Sequence, residues 1–584
     1  VKKERITVTL TNNFFHAVFS MQRIRLRHYQ ESVVERALKA LEDGEGVIIN
    51  SPTGTGKTLM GLEIGRRYSE KHGFRYFDVF VRTRSQYTPW EDNARKVDLK
   101  FTGLMAKSLF CKYISREYYE VCEICGLSKK DVSQDSDHQH KWKRVYLTAS
   151  CSNCEIPRIE ECNEINDFGE CTSSGISEKY VEQLQKEGIL KFAVETKKKG
   201  ICAYPDMLKI PADFRIFSYI YYFLKIVVPT GELLIFDEAH NLELQELMRY
   251  TVSVYDFISL THSKKEKEIL ELAFKRFIET ESLDAKVKDI QGNEVTIEEL
   301  LLQFEGEGEK VAKKCKFVLS ADDSFYKEKT DKYYRVIARD PSVLLSRLNT
   351  ERYVLMSGTM PSEKYLKEVW GLEKFEYIDV WKDYYDELKD FYNMNISVVD
   401  ADLTFKNRNG DTYKEIAEFV TQNLRKDGIN LVATTSKQMM LDLALFLHPD
   451  FLEKDGKIDF EELQKLPDGS VILAYEGGRL TEGIELTKDG KSRIKAVFIV
   501  GFPYPEYKDK YLNSVIDYLA EKKGLNDKAK EAFRWFVFKE KAIIKVRQTM
   551  GRAIRSPQDE ADIWLIDKRF TYRDIAEKLG IEVS

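Results

Sequence analysis

Val47-Ile48-Ile49-Asn50 is a short β-branched run, and Ser51-Pro52-Thr53-Gly54-Thr55-Gly56-Lys57-Thr58 follows it directly, ahead of a helix-period segment from Leu59 to Ser69. Few folds accept a strand, a glycine-bearing loop and a helix in that order. Gly54 and Gly56 let backbone amides close around phosphate oxygens at a helix N-terminus, where the helix dipole favours negative charge. Lys57 then reaches the outer phosphates, and Thr58 can hold magnesium. Ser51 stands where the general pattern has its first glycine, so the match rests on Gly56-Lys57-Thr58 and on the strand and helix around it. A chance glycine-rich turn would lack that context.

A phosphate loop of this kind sits at the edge of a parallel α/β sheet, and the rest of the chain supplies the strands. Short apolar runs at Asp78–Val81, Leu233–Phe236, Tyr353–Met356, Asn430–Ala433, Val471–Ala474, Ala496–Val500 and Ile563–Ile566 alternate with helical patterns. Asp237 and Glu238 emerge at the C-terminal end of one such run, where open α/β sheets bind ligands. Asp237 is placed to hold magnesium and Glu238 to orient an attacking water. Near the end of the chain Gln548-Thr549-Met550-Gly551-Arg552-Ala553-Ile554-Arg555 sets Arg552 and Arg555 three residues apart, on one face if the segment is helical, as charge-stabilising fingers for a γ-phosphate.

At 584 residues the chain is too long for one small module, and 43% hydrophobic against 32% charged residues argues against extensive disorder. Lys plus Arg number 91 against 96 Asp plus Glu, so any nucleic-acid site has to be a local basic groove on a nearly neutral body. The most apolar stretch, Ile216–Phe236, is broken by Lys225, Pro229 and Glu232 and falls short of a membrane span. The first residues lack an apolar signal core, and an intracellular protein is expected. After Phe570 only 14 residues remain, so no large domain is expected beyond the last α/β unit.

Two stretches interrupt the strand–helix rhythm. Eight of the nine cysteines, Cys111, Cys122, Cys125, Cys151, Cys154, Cys162, Cys171 and Cys202, fall in one 92-residue window, with Cys315 apart. In an intracellular chain such clustering points to metal rather than disulfides. The second stretch, Leu242–Asn349, is rich in Lys and Glu and reads as helical, with Leu270, Leu272, Phe274 and Phe277 as an apolar seam on a charged helix. Lys57 and Asp237 lie 180 positions apart, far more than the roughly 30 residues a βαβ unit needs, so something sizeable is inserted between them.

Taken in order, these segments resemble the superfamily-2 helicases, and specifically the XPD/DinG group of iron–sulfur DNA helicases, with archaeal XPD as the nearest likeness. The resemblance runs through Arg27-His28-Tyr29-Gln30, the phosphate loop, Arg82-Thr83-Arg84-Ser85-Gln86, Asp237-Glu238-Ala239-His240, Ser357-Gly358-Thr359, Gly477–Glu485 and Gln548–Arg555. It implies two RecA-like parallel-sheet motor domains carrying a cysteine-rich cluster insertion and a helical Arch insertion. The boundaries that follow are 1–108, 206–241 and 350–375 for the first motor, 109–205 for the cluster domain, 242–349 for the Arch and 376–584 for the second motor.

The same resemblance implies that Gln30 reads adenine, that Arg82–Gln86 lies along single-stranded DNA, and that Ser357–Thr359 couples hydrolysis to domain movement. Glu482 and Gly483 would line the nucleotide cleft from the second motor, completed by Gln548, Arg552 and Arg555. Gly358 replaces the usual alanine and Arg84 a usual histidine. Among the cysteines, Cys122, Cys125, Cys151 and Cys154 form two CxxC pairs 25 residues apart, similar to a zinc ribbon. That division leaves Cys111, Cys162, Cys171 and Cys202 for a [4Fe–4S] cluster. Cys111 and Cys202 resemble the family's first and last ligands; Cys151 or Cys154 could instead replace Cys162 or Cys171.

The expected activity is ATP-dependent, magnesium-requiring 5′ to 3′ DNA unwinding by a monomer, acting on single-stranded and on fork or bubble DNA. A role in DNA repair is expected, in the cytoplasm on the nucleoid of an archaeon. The competing readings are a DinG-like translocase that removes R-loops, a DEAH-type RNA helicase, which should lack the cysteine window, and a non-enzymatic nucleic-acid-binding scaffold.

Overall fold

A computed structural model describes residues 26–110, 118–122, 142–146, 164–165, 171–172, 178–199, 201–204, 206–223, 232–243, 248–304, 306–389, 393–454, 458, 460–482, 486–488, 490–556 and 558–581. They fall into two compact units, one running to Glu31 and taking in Thr58–Ser218, the other comprising Ser32–Lys57 and Tyr219–Ser584.

In the larger unit, four parallel strands lie in the order Phe375–Asp379, Gly46–Asn50, Tyr353–Ser357 and Leu234–Asp237. Gly46–Asn50 and Tyr353–Ser357 are buried at every position, as strands covered on both faces must be. Their register pairs Asn50 with Ser357 and Met356 with Asp237. Three strand ends therefore finish level, and the loops leaving them are neighbours.

A second parallel sheet in the same unit has the order Asn393–Val399, Glu560–Ile566, Ile494–Val500, Ile429–Thr434, Val471–Tyr475 and Phe451–Leu452. Alternation along Ile494–Val500 sends Val497 and Ile499 to one core and Ala496, Phe498 and Val500 to the other. Helices Gly410–Gln422 and Lys437–Leu447 cover the Phe498 side, and the 24-residue helix Asp527–Met550 covers the Ile499 side. Asn526 starts that long helix by accepting the Ala529 N–H at 3.0 Å. Its inward residues Ala542, Ile543, Val546 and Met550 anchor it on the sheet; truncating a buried residue such as Ile543 to Ala costs about 2–5 kcal/mol.

Between the two sheets in sequence, residues 249–338 build a core of their own around Phe257, Phe274, Phe277, Ile297, Val318 and Tyr334. This stretch corrects the helical expectation. Helices Lys264–Thr280 and Glu307–Ser320 are present, but Arg249–Ser253, Tyr333–Ala338 and Phe325–Lys329 form a three-stranded antiparallel sheet. Their Tyr, Val, Thr and Ile content suits a pleated surface and was masked by the Lys and Glu around it. The seam also differs from expectation: Leu270, Ala273, Phe274 and Phe277 are buried, whereas Leu272 is 63% exposed, two residues being 200° around a helix.

The smaller unit holds three parallel strands in the order Phe77–Val81, Phe214–Ser218 and Phe101–Leu104, with the bidentate pair Arg215–Asp78 buried among them at 2.6 Å. Two antiparallel hairpins, Tyr118–Cys122 with Trp142–Tyr146 and Glu164–Ile165 with Cys171–Thr172, fall in the cysteine window. Cys111, Cys125, Cys151, Cys154 and Cys162 lie outside the described residues. Cys202 is buried, and Cys315 belongs to the core of residues 249–338. Among the described residues no helix is long and apolar enough to cross a membrane, and no group of three or more metal-ligating side chains is found.

Candidate active site

The loop after Gly46–Asn50 takes its shape from Gly54 and Gly56, with φ of +85° and +83°, a backbone region that side-chain-bearing residues rarely enter. Ser51 does more there than a glycine could. Its N–H donates to the Ser357 carbonyl at 2.8 Å and its hydroxyl pairs with that of Thr55 at 2.6 Å, so the loop is tied to the neighbouring strand. Thr55 donates in turn to the Pro52 carbonyl at 2.6 Å. Lys57 opens the helix Lys57–His72, and its Nζ donates to the Ser51 carbonyl at 3.1 Å, inside the arc of the loop. Thr53 adjoins the second sheet's chain: a Cβ on Gly551 would lie 3.4 Å from its hydroxyl.

Asp237 ends its strand buried, with Oδ1 accepting the Glu238 N–H at 2.9 Å and its carbonyl accepting the Tyr219 hydroxyl. Glu238 then sits at φ 54°, ψ 40°, a left-handed conformation that costs a non-glycine residue about 1–3 kcal/mol. The turn carries the Glu238 carboxylate to Ser357, whose hydroxyl donates to Oε2 at 3.2 Å. Burial pushes the Glu238 carboxyl up, but Lys57, His240, Arg552 and the Ser357 hydroxyl outweigh it and hold the group below the ordinary glutamate value, as an anion.

His240 joins these groups to the second sheet. Its Nδ1 is 2.6 Å from Ser357 Oγ, and its Nε2 is 2.8 Å from Asn241 Nδ2 and 2.5 Å from Nε2 of Gln548, which the long helix delivers. These contacts run without a break from Gln548 through His240 and Ser357 to Glu238, with the Ser357 hydroxyl donating the last of them.

The condition for Arg552 and Arg555 to share a helical face is not met, because the helix ends at Met550 and both lie beyond it. Arg552 Nε donates to the Thr481 carbonyl at 2.9 Å. A Cβ on Gly54 would be 3.0 Å from the Arg555 carbonyl, so this segment packs on the phosphate loop. Asp559, fully buried, fixes the segment by accepting N–H groups from Ser492, Arg555 and Ser556 at 3.0, 2.8 and 2.7 Å. Asp559, Asn241 and Glu476, which accepts the Thr549 hydroxyl at 2.8 Å, were missed from sequence. Glu476 and Asp559 reach the distant Thr549 and Ser492, and Asn241 bonds its neighbour His240, so none of the three belongs to a motif that sequence alone displays.

Ser51–Lys57, Asp237, Glu238, Gln548, Arg552 and Arg555 therefore belong to one unit and share interactions there. Thr58 follows Lys57 in the first turn of its helix. Gln30 lies in the smaller unit, where its Oε1 accepts the Arg27 N–H at 2.9 Å and closes the start of helix His28–Glu42. Glu482 ends the short helix Arg479–Glu482, and Gly483 lies outside the described residues.

The chain is similar to known helicases. Residues 411–582 match the family model described as helicase C-terminal domain, and residues 23–149 match that of the type III restriction enzyme, res subunit. The ATP-dependent DNA helicase XPD of Sulfolobus acidocaldarius is 25% identical over 94% of this chain and 96% of its own length. The ATP-dependent DNA helicase CHL1 of Yarrowia lipolytica is 31% identical over 29% of this chain and 21% of its own. A solved XPD helicase structure superposes with a TM-score of 0.66 at 23% identity, covering 95% of this chain and 98% of that one, and Xpd4 of S. tokodaii does so at 0.55 and 16%, covering 95% and 98%. With its motifs in order, its two parallel sheets and its end-to-end similarity, the chain is an XPD-like helicase.

Proposed function

We propose that the chain hydrolyses ATP between its two motor domains and uses the cycle to translocate on single-stranded DNA 5′ to 3′, opening fork or bubble duplexes. The observation that carries this reading is the continuous line Gln548–His240–Ser357–Glu238, which ties the general-base candidate of one sheet to the long helix Asp527–Met550 on the other. A binding scaffold has no use for such a line.

In the proposed reaction the amides of the Gly54–Gly56 loop cradle the phosphates and Lys57 neutralises charge on the outer ones. Thr58 and Asp237 would hold magnesium, which supplies charge neutralisation between the phosphates. Ionised Glu238 orients a water toward the γ-phosphorus and takes its proton as the new P–O bond forms and the bond to the departing ADP oxygen breaks. Arg552 and Arg555 stabilise the charge that develops. Gln30 reads the adenine, Glu482 and Gly483 line the cleft, and Arg82–Gln86 contacts the strand.

The cysteine window is proposed to hold a [4Fe–4S] cluster on Cys111, Cys162, Cys171 and Cys202, and zinc on Cys122, Cys125, Cys151 and Cys154. Eight thiols in 92 residues suit both groups, and the buried Cys202 suits a ligand withdrawn from solvent. The domain boundaries given above, the monomeric state, a repair role and a cytoplasmic, nucleoid-associated location in an archaeon complete the reading. Strand-separation assays with 5′-tailed and 3′-tailed partial duplexes test it: opening of the 5′-tailed substrate alone is expected, and opening of neither, with ATP hydrolysis present, would overturn it.

A further inference from the structure

The long helix bonds the first sheet's loops through Glu540, Lys541 and Gln548, of which only Gln548 belongs to the motifs already described. Seven residues before it, two helical turns away and on the same face, Lys541 donates to Glu243 at 2.9 Å. Glu243 lies three residues beyond His240 on the loop that carries Glu238. The same carboxylate accepts the Tyr365 hydroxyl at 2.8 Å and the Trp370 indole N–H at 3.2 Å, and both of those side chains are fully buried.

Next to Lys541, Glu540 is buried and accepts the Ser362 N–H at 3.1 Å and the Ser362 hydroxyl at 2.9 Å, with the Lys578 ammonium as its third partner. Ser362 starts the helix Glu363–Glu368, five residues beyond Ser357. Adjacent residues of one helix thus hold the two loops that flank the Glu238–Ser357 pair. The helix itself cannot yield locally, because Val546 and Met550 sit in the second sheet's core and Thr549 is bonded to Glu476.

Burying charges at such a junction costs desolvation, and an apolar contact would hold two bodies together more cheaply. What a directional ion pair adds is register. We propose that Lys541 and Glu540 are positioning residues that form a coupling strut, making movement of the Glu238 and Ser357 loops and movement of the second motor one event. The proposal rests on the helicase reading, and deepens it by naming how hydrolysis is converted to translocation.

The test uses the full-length chain with its metals, and measures ATP turnover on single-stranded DNA and base pairs opened per ATP hydrolysed. Lys541→Met keeps the packing of the stem and removes the charge. It is expected to lower base pairs opened per ATP by about five- to tenfold with the ATP KM within about twofold, and Lys541→Arg is expected to restore the ratio. Lys541→Met combined with Glu243→Gln should be no worse than the more damaging single change, as for two ends of one link. An unchanged ratio in Lys541→Met would overturn the strut. So would a loss of melting temperature with turnover and unwinding falling in parallel, because the pair would then be structural only. The helicase reading fails separately, if the unmodified chain hydrolyses no ATP on DNA.

Discussion

Gln548 Nε2 stands 2.5 Å from His240 Nε2, so a side chain of the last long helix is bonded to the residue that also holds Ser357 beside Glu238. Two residues 308 positions apart in the chain thus join the two sheets at the point where the proposed base is aimed. Gln548→Ala leaves the phosphate loop intact, and it is expected to lower kcat for ATP hydrolysis about ten- to a hundredfold with KM nearly unchanged. Steady-state kinetics checks it; a rise in KM alone would place Gln548 in nucleotide binding instead.

Gly54 and Gly358 both face crowded ground, yet they should respond differently to a methyl group. Gly54 has φ +85° and a Cβ there would lie 3.0 Å from the Arg555 carbonyl, whereas at Gly358 the nearest atoms, Lys57 Nζ and the Ser51 carbonyl, are 3.5 Å away in ordinary contact. Gly54→Ala is expected to cost about 1–3 kcal/mol of stability and most of the turnover, and Gly358→Ala to retain both. Thermal unfolding and ATP turnover of the two variants decide it.

Much of this fold was legible because parallel strands are covered on both faces and read as continuous apolar runs. All eight of the anticipated strands are present, and the level ends of three of them put Asn50, Asp237 and Ser357 side by side. Phe375–Asp379 and Asn393–Val399 lie at sheet edges, carry Glu, Asp and Asn, and gave no such signal. In residues 249–338 the lysines and glutamates of the helices hid a sheet whose Val252, Tyr334 and Val336 face inward. The phosphate loop and acidic strand end are local patterns and were readable, but Glu243 and Glu540 act through partners distant in sequence, as Asp559 does toward Ser492. Nothing in the sequence before Gly551 marks the end of the long helix, so Arg552 and Arg555 could share a helical face only on the condition that it continued; the Gly551 N–H still bonds the Arg547 carbonyl and the turn opens after it.

Two carboxylates set an acid limit. Burial raises Glu238 and Glu243, but Lys57 and His240 for the first, and Lys541, Tyr365 and Trp370 for the second, bring both below the ordinary 4.5. A depressed folded value means that the stabilisation is full above 4.5 and lost as the pH falls through the folded value. Melting temperature is therefore expected to hold from neutrality to about pH 5 and to drop below it, less steeply in Glu243→Gln. A drop already under way near pH 6, removed by Glu243→Gln, would contradict this.

Metal content is testable on anaerobically purified chain. About four irons, four acid-labile sulfides and one zinc per chain are expected. Removing the metals should expose the cysteines of the 111–202 window to alkylation, whereas Cys315, buried and with its thiol pushed up to about 12, should stay unlabelled until the chain unfolds. Zinc alone would contradict the cluster, and iron with sulfide but no zinc would remove the ribbon.

Lys57 is the residue on which the account converges, since it opens the helix after the phosphate loop and its charge helps keep Glu238 ionised. The most direct measurement is ATP hydrolysis with and without single-stranded DNA, for the unmodified chain and for Lys57→Ala, alongside opening of a 5′-tailed duplex. DNA-stimulated hydrolysis and duplex opening are expected, both falling about a hundredfold or more in Lys57→Ala. Full hydrolysis or opening by Lys57→Ala would contradict the account.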